Sequence, residues 1–197
     1  MMMFDTEGVV LAALIFVAAM LYASVGHAGA SGYLAAMALF GVAPEVMKPT
    51  ALTLNILVAL IATFKFYRVG AFSWRIFLPL AAGSVPLAWL GGMLVLPGHY
   101  YKPLVGVVLV YAAWASLKRA SRPPDAILRT PSSALLFACG AALGLLSGLT
   151  GVGGGIFLSP LLLFLRWAEV RVISGIAAAF ILLNSIAGLL GVIRVAP

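Results

Sequence analysis

The sequence predicts an all-α, polytopic membrane helix bundle of about eight elements, and three observations support this. Of 197 residues, 64% are hydrophobic and 9% are charged, and the mean hydropathy is +1.17, which is more apolar surface than a soluble domain of this size buries. The charged residues lie at the ends of long apolar runs, as in spans joined by short loops. Two of those runs contain glycine-rich stretches, which would interrupt a membrane helix.

Charge and cysteine content exclude several classes of function. The net charge is +7, but the basic residues are isolated or flank apolar runs, which favours cytoplasmic anchors over a nucleic-acid partner. Cys139 is the only cysteine, so no intrachain disulfide and no metal-ligand spacing is available. We therefore predict no metal and no cofactor. No pair of intramembrane carboxylates is present, so an enzyme is not expected.

The N-terminal segment is predicted to be the first membrane span. Its leading residues include Asp5 and Glu7 where a signal peptide would carry Lys or Arg, so we do not interpret it as a cleaved leader. We expect a multi-pass protein of the cell membrane, in contact with the lipid bilayer, and a homo-oligomer is an open alternative.

The glycine-rich stretch Ser147–Gly155 organises the C-terminal half of the chain. It lies in the charge-free run 130–165, and five of the positions 148–155 are glycine. Each glycine costs about 1 kcal/mol relative to alanine in a helix interior. The pattern therefore predicts a break between a helix over 132–146 and a short helix over 156–165, followed by a last span over 172–193.

The N-terminal half has a similar break. The charge-free run 8–44 is too long for one span of about 20 residues, and its middle, 24–32, is rich in glycine. We predict helices over 9–24 and 31–42. Glu45, Lys48 and Pro49 then indicate a loop and a helix start, and a turn is predicted at 97–101. The remaining spans are predicted at 50–66, 76–96 and 103–116.

The two halves repeat the same order of features. When the sequence of the first half is aligned with that of the second half without gaps, Gly26 pairs with Gly151 and Gly29 with Gly154. We predict a first membrane repeat unit over 1–117, a cytoplasmic basic loop over 118–131 and a second repeat unit over 132–197. The second unit lacks counterparts of two helices, so it is either shorter or truncated.

The basic loops leave two topologies open. Under the positive-inside rule, Lys65–Arg75, Lys118–Arg129 and Arg166–Arg171 should face the cytoplasm. If both short helices span, the N-terminus is outside and the two units are inverted. If they re-enter, the N-terminus is inside and the loop at Arg166 is external. Tryptophans and tyrosines near the predicted boundaries are expected at the membrane interfaces: Trp74, Tyr100, Tyr101, Trp114 and Trp167.

Six stretches carry a resemblance to a known family: Ser24–Gly29, Thr50–Asn55, Phe66–Gly70, Gly148–Gly155, Pro160 and Ala177–Gly188. They resemble the sulfite exporter (TauE/SafE) family of membrane anion transporters, over nearly the whole chain. The resemblance implies two related halves around glycine-rich breaks. It also implies passage of small sulfur-containing anions, such as sulfite or sulfonates, coupled to an ion gradient. The first unit departs from the second, since His27 and Ala30 stand opposite Val152 and Gly155.

The glycine-rich stretches have two interpretations. Small residues let helices pack closely. Alternatively, backbone N–H groups at the start of the following helix, aided by the helix dipole, hold an oxyanion. A dinucleotide fingerprint would need a βαβ unit around the glycines, which is absent from the predicted pattern. The backbone positions predicted to bind the anion are Gly26, Gly29, Ser31, Gly151, Gly153, Gly154 and Gly155.

Four polar side chains within the spans complete the predicted substrate site. His27 is either a hydrogen-bonded structural residue or a group that contacts the anion or carries a coupling proton. Asn55, Asn184 and Ser185 either bond between helices or contact substrate. We predict a secondary transporter of small anions that rocks one unit against the other. The alternative is a structural or assembly subunit that needs a partner and does not transport by itself.

Overall fold

The computed structural model describes residues 6–23, 26–119 and 131–195, and all regular structure within them is α-helical. This confirms the predicted all-α bundle. Asp5 and most of the predicted basic loop 118–131 lie outside the described residues. Eight helices are found in the described part of the chain: α1 (Thr6–Ala23), α2 (Ala30–Leu39), α3 (Pro44–Arg68), α4 (Trp74–Met93), α5 (Gly98–Arg119), α6 (Ser133–Thr150), α7 (Gly155–Phe164) and α8 (Val170–Val195).

Five of these helices, α1, α3, α4, α6 and α8, are long and apolar enough to cross a membrane. In contrast, α2 and α7 have 10 residues each. Ten residues extend about 15 Å at 1.5 Å per residue, which is half of a hydrocarbon core of about 30 Å. Neither short helix can therefore cross without the non-helical segment that precedes it. We call these segments the first break (residues 26–29) and the second break (residues 151–154).

Three predicted boundaries were wrong. The third helix begins at Pro44 rather than near 50, because proline at the first helical position has no N–H that needs an acceptor. The predicted turn at 97–101 is instead the start of α5. The second break is shorter than 147–155, since α6 continues to Thr150, whose hydroxyl donates to the Leu146 carbonyl at 2.7 Å.

Helices α4 and α6 run side by side in the same direction with their backbones in contact. A Cβ atom placed on Gly140 would lie 2.2 Å from the Leu80 carbonyl oxygen, and one on Gly144 would lie 2.2 Å from that of Ser84. One turn further, a Cβ on Gly148 would lie 2.1 Å from the carbonyl oxygen of Ala88. This is small-xxx-small packing, and only glycine permits it at these positions.

Helix α8 lies at the centre of the bundle and packs against α3, α4, α6 and α7. It is antiparallel to α3: a Cβ on Gly175 would contact Phe66 near the end of α3, and one on Gly188 would contact Leu52 near its start. Ile173, Ile176 and Phe180 of α8 belong to the largest buried apolar cluster, which also takes in residues of α4, α6 and α7.

The basic loops share one end of the bundle. Gly175 packs against Ala71, and Trp167 belongs to one apolar cluster with Ile76 and Phe77, so the segments that carry Arg68, Arg75, Arg166 and Arg171 lie together. We call this the basic end, and its position in the cytoplasm stays a prediction of the positive-inside rule. The first break packs against Ser174 near the basic end, and the second break packs against Lys48 towards the opposite end. Successive helices alternate in direction, as the spanning alternative predicts.

Three of the five aromatic residues predicted at the membrane interfaces, Trp74, Tyr100 and Trp114, are exposed on the bundle surface. Their position at an interface stays a prediction. For Tyr101 and Trp167 the prediction was wrong, because they are only 3% and 7% exposed. The Tyr101 hydroxyl donates to the Thr150 carbonyl at 2.9 Å, so a tertiary hydrogen bond draws this ring into the bundle.

The contact between α4 and α6 gives a first prediction. Gly144→Ala should destabilise the protein by about 1–3 kcal/mol, because the added methyl group forces two backbones apart. Gly106→Ala is the matched control, since a Cβ atom there meets nothing within 4 Å and alanine favours the helix. Thermal unfolding of the detergent-purified variants, followed by intrinsic fluorescence, measures both. Equal melting temperatures for the two variants would contradict the packing described here.

Candidate functional site

The second break begins where α6 ends and α7 has not yet begun. Gly151 caps the C-terminus of α6 with φ 77°, and Gly154 precedes the first turn of α7, also with φ 77°. Side chains other than glycine rarely adopt this left-handed conformation. No side chain caps the start of α7, so the first N–H groups of this helix have no acceptor within it.

The first break has the same design at the start of α2. Gly29 precedes the helix with φ 93°, and again no side chain caps it. At the start of the break, the backbone N–H of His27 donates to the Tyr22 carbonyl of α1 at 2.9 Å. Two separate stretches of the sequence therefore produce two uncapped helix starts inside a membrane bundle.

Side chains donate to three backbone carbonyl groups at or next to the breaks. The Tyr33 hydroxyl donates to the Ala28 carbonyl, and Tyr101 donates to Thr150, as described above. The Asn55 side-chain amide lies 3.4 Å from the Gly151 carbonyl oxygen and donates to it. No side chain caps α2 or α7, so the first N–H groups of both helices are the donors that a ligand at the breaks would meet.

The two breaks meet at a small pocket. Its lining includes His27, Gly29 and Ser31 from the first break and the start of α2, and Val152 and Ile156 from the second break and α7. The pocket has room for roughly one water molecule. In this conformation it is therefore closed around the place where the two helix starts approach each other.

A second group of polar atoms lies beside this pocket. A Cβ atom placed on Gly153 would lie 2.9 Å from the Asn55 amide nitrogen and 3.1 Å from the Ser185 hydroxyl oxygen. Asn55 and Ser185 are both fully buried. Ile181 is common to this group and the pocket, since its side chain lines the pocket and would also contact that Cβ atom.

Several of these buried polar atoms have no hydrogen-bond partner. The hydroxyl oxygens of Ser31 and Ser185 and the carbonyl oxygen of the Asn55 side chain are buried without one. A buried polar group without a partner costs about 1–3 kcal/mol. Atoms of this kind beside two uncapped helix starts are those that a polar ligand would satisfy.

The structure brings together most of the predicted site residues but not all of them. Asn184 donates to the Phe180 carbonyl of its own helix at 2.8 Å, and it is not among the residues that line the pocket. Gly26 packs against Ser174, and Gly155 packs against Ile181. Whether any of these residues binds a solute stays a prediction.

Sequence reasoning missed four residues at the site. Tyr33 lies one helical turn after Gly29, so its reach back to the break could have been found from spacing alone. Lys48, Tyr101 and Ile181 come from distant helices, and no local pattern places them here. In the described part of the chain, no group of three or more His, Cys, Asp or Glu side chains could hold a metal ion.

Comparisons with known proteins identify the family. The sequence profile of the family described as sulfite exporter TauE/SafE matches residues 11–196. The probable membrane transporter protein y4hK of Sinorhizobium fredii is 44% identical over 190 residues, which cover 95% of this chain and 77% of that protein. The probable membrane transporter protein MJ0441 of Methanocaldococcus jannaschii is 29% identical over 136 residues, which cover 67% of this chain and 50% of that protein.

No solved structure matches the chain. The family match nevertheless spans seven of the eight described helices completely and all but the first turns of α1, so it includes both breaks and the pocket between them. The chain therefore belongs to the sulfite exporter TauE/SafE family of multi-pass membrane transporters.

Proposed function

We propose that this protein is a secondary transporter of small sulfur-containing oxyanions, such as sulfite or organosulfonates. The observation that carries the proposal is the pocket where two uncapped helix starts meet. Each helix N-terminus carries the equivalent of about half a positive charge, and its N–H groups point along the axis towards a ligand. Two such ends suit a solute with one or two negative charges and several acceptor oxygens.

The side chains around the pocket support an anion rather than a cation. The Ser31 hydroxyl group in the lining, the Ser185 hydroxyl group beside it and the Asn55 N–H that does not bond to Gly151 are donors without a fixed charge. Among the described residues, Lys48 is the only Lys, Arg, Asp or Glu that is buried, and carbonyl groups accept its hydrogen bonds. An anion held by neutral donors forms no ion pair, which favours its release on the other side of the membrane.

The closed pocket suggests how transport would proceed. The first break approaches it from the basic end and the second from the opposite end, so the hairpins α1–α2 and α6–α7 are inverted relative to each other. We propose that they belong to two inverted repeat units, and that rocking of one unit against the other opens the pocket to each side in turn.

The proposal predicts the effect of Ser185→Ala on sulfite transport. Loss of one hydrogen bond to a charged ligand costs about 1.5–3 kcal/mol, so the apparent KM for sulfite in proteoliposomes should rise roughly tenfold or more. Ser84→Ala is the matched control, because Ser84 is also fully buried but bonds to Ala81 in its own helix. Its KM should equal that of the unmodified protein.

Two results would contradict this proposal. Equal KM values for Ser185→Ala and Ser84→Ala would remove Ser185 from the site. Purified protein that moves neither sulfite nor any organosulfonate, yet crosslinks to a second membrane protein in native membranes, would favour the assembly-subunit alternative.

We further propose that His27 carries the coupling proton. It lines the pocket, and ionisable side chains inside a membrane destabilise the protein and are therefore mostly found at functional sites such as proton relays. Tyr22 is the other titratable side chain in the lining. With His27→Gln, sulfite flux should no longer respond to an imposed pH gradient, although binding persists. His99→Gln, which changes an exposed histidine at the start of α5, should keep the response. Loss of the response in both variants, or in neither, would exclude His27 from this role.

A further inference from the structure

Lys48 is buried in the bundle, although it is a cation in a membrane helix. Its side chain is 9% exposed, and its ammonium group donates to the carbonyl oxygens of Gly91 at 3.1 Å, Gly92 at 3.0 Å and Leu94 at 3.2 Å. An ammonium group has three N–H donors and no acceptor. Every donor of Lys48 therefore has a partner, and all three partners are backbone carbonyl groups.

These carbonyl groups belong to the C-terminal end of α4. The last four carbonyl groups of an α-helix accept no hydrogen bond within the helix, and the helix dipole makes that end negative. Lys48 also lies against the end of α6, since a Cβ atom on Gly151 would lie 3.2 Å from the Cγ atom of Lys48. The positive charge thus lies at the negative end of α4, and the aliphatic part of the Lys48 side chain packs against the end of α6.

Two of the three oxygen atoms, those of Gly91 and Gly92, are held in place by the scaffold rather than by the lysine. A Cβ atom on Gly91 would lie 2.6 Å from the Leu145 carbonyl oxygen of α6, and one on Gly92 would lie 2.2 Å from that of Gly188 in α8. The end of α4 is therefore clamped between two helices. The carbonyl oxygens should keep their positions when the Lys48 side chain is shortened.

We propose that the carbonyl oxygens of Gly91, Gly92 and Leu94 form a monovalent-cation site, and that the ammonium group of Lys48 is its tethered occupant. Converging backbone carbonyl groups are the ligands with which proteins replace the hydration shell of K⁺, and an ammonium group is similar to K⁺ in charge and size. Lys48 and the three carbonyl groups are not part of the pocket lining, and the proposal does not depend on the proposed function.

The proposal predicts that a free cation replaces the missing side chain in Lys48→Ala. The melting temperature of the purified variant should fall by about 5 °C or more in choline chloride, whose cation is too large for the site. It should rise again, with saturation, as KCl or methylammonium chloride replaces choline chloride at constant ionic strength. Lys48→Ser, which also leaves the space of the ammonium group empty, carries the same test if Lys48→Ala does not fold.

Two control variants separate site occupancy from general salt effects. In Lys48→Met an apolar side chain of similar length fills the space, so its melting temperature should be low in all three salts. Lys65→Ala removes an exposed lysine from the same helix and should follow the unmodified protein in each salt. The proposal is overturned if the melting temperatures of Lys48→Ala and Lys48→Ser are no higher in K⁺ or methylammonium than in choline. It is also overturned if the melting temperature of Lys48→Met rises by the same amount.

Discussion

Backbone that leaves the helix inside a membrane must find partners within the protein, and this constraint explains most of what is specific to the structure. Side chains donate to backbone carbonyl groups at both breaks: Tyr33 in the first, Asn55 in the second, and Tyr101 at the adjoining end of α6. No side chain caps the first N–H groups of α2 and α7. The proposed anion site rests on these uncapped donors, because a solute that carries only acceptors would complete their hydrogen bonding.

The rest of the bundle is built to hold the breaks in register. Glycines at 140, 144 and 148 bring α6 into backbone contact with α4, and α8 closes the arrangement from the other side. By contrast, α1 has no buried residue, so the first hairpin rests on the scaffold mainly through α2. A rigid core of α4, α6 and α8 beside a more loosely held hairpin is an arrangement in which one part can move relative to the other without loss of the fold.

The sequence was sufficient for the fold class and for the positions of both breaks. Long apolar runs bounded by charge, together with glycines at 26, 29, 151, 153 and 154, are local signals, and local signals determine where a membrane helix must stop. The family resemblance rests on the same stretches. Helix boundaries are harder to predict. The charges at positions 45 and 48 predict a helix start near residue 50, but α3 begins at Pro44.

The composition of the site depended on tertiary contacts that no local pattern encodes. The charge of Lys48 predicts a loop, because charged residues usually lie at the ends of membrane helices. Instead, three carbonyl groups at the end of α4 stabilise Lys48 inside the bundle. Tyr101 was assigned to the membrane interface on the same reasoning. Asn184 is predicted to bind substrate or bond between helices, as Asn55 is. Instead, its side-chain amide donates to the Phe180 carbonyl one turn away on its own helix.

The central claim is that the N–H groups at the starts of α2 and α7 bind the anion. Anomalous scattering from selenite, the heavier analogue of sulfite, tests it most directly in crystals of the protein. The account predicts a peak between Gly29–Ser31 and Gly153–Gly155, and its loss when sulfite is added in excess. A peak beside the exposed arginines of the basic end, with none between the two helix starts, would contradict it.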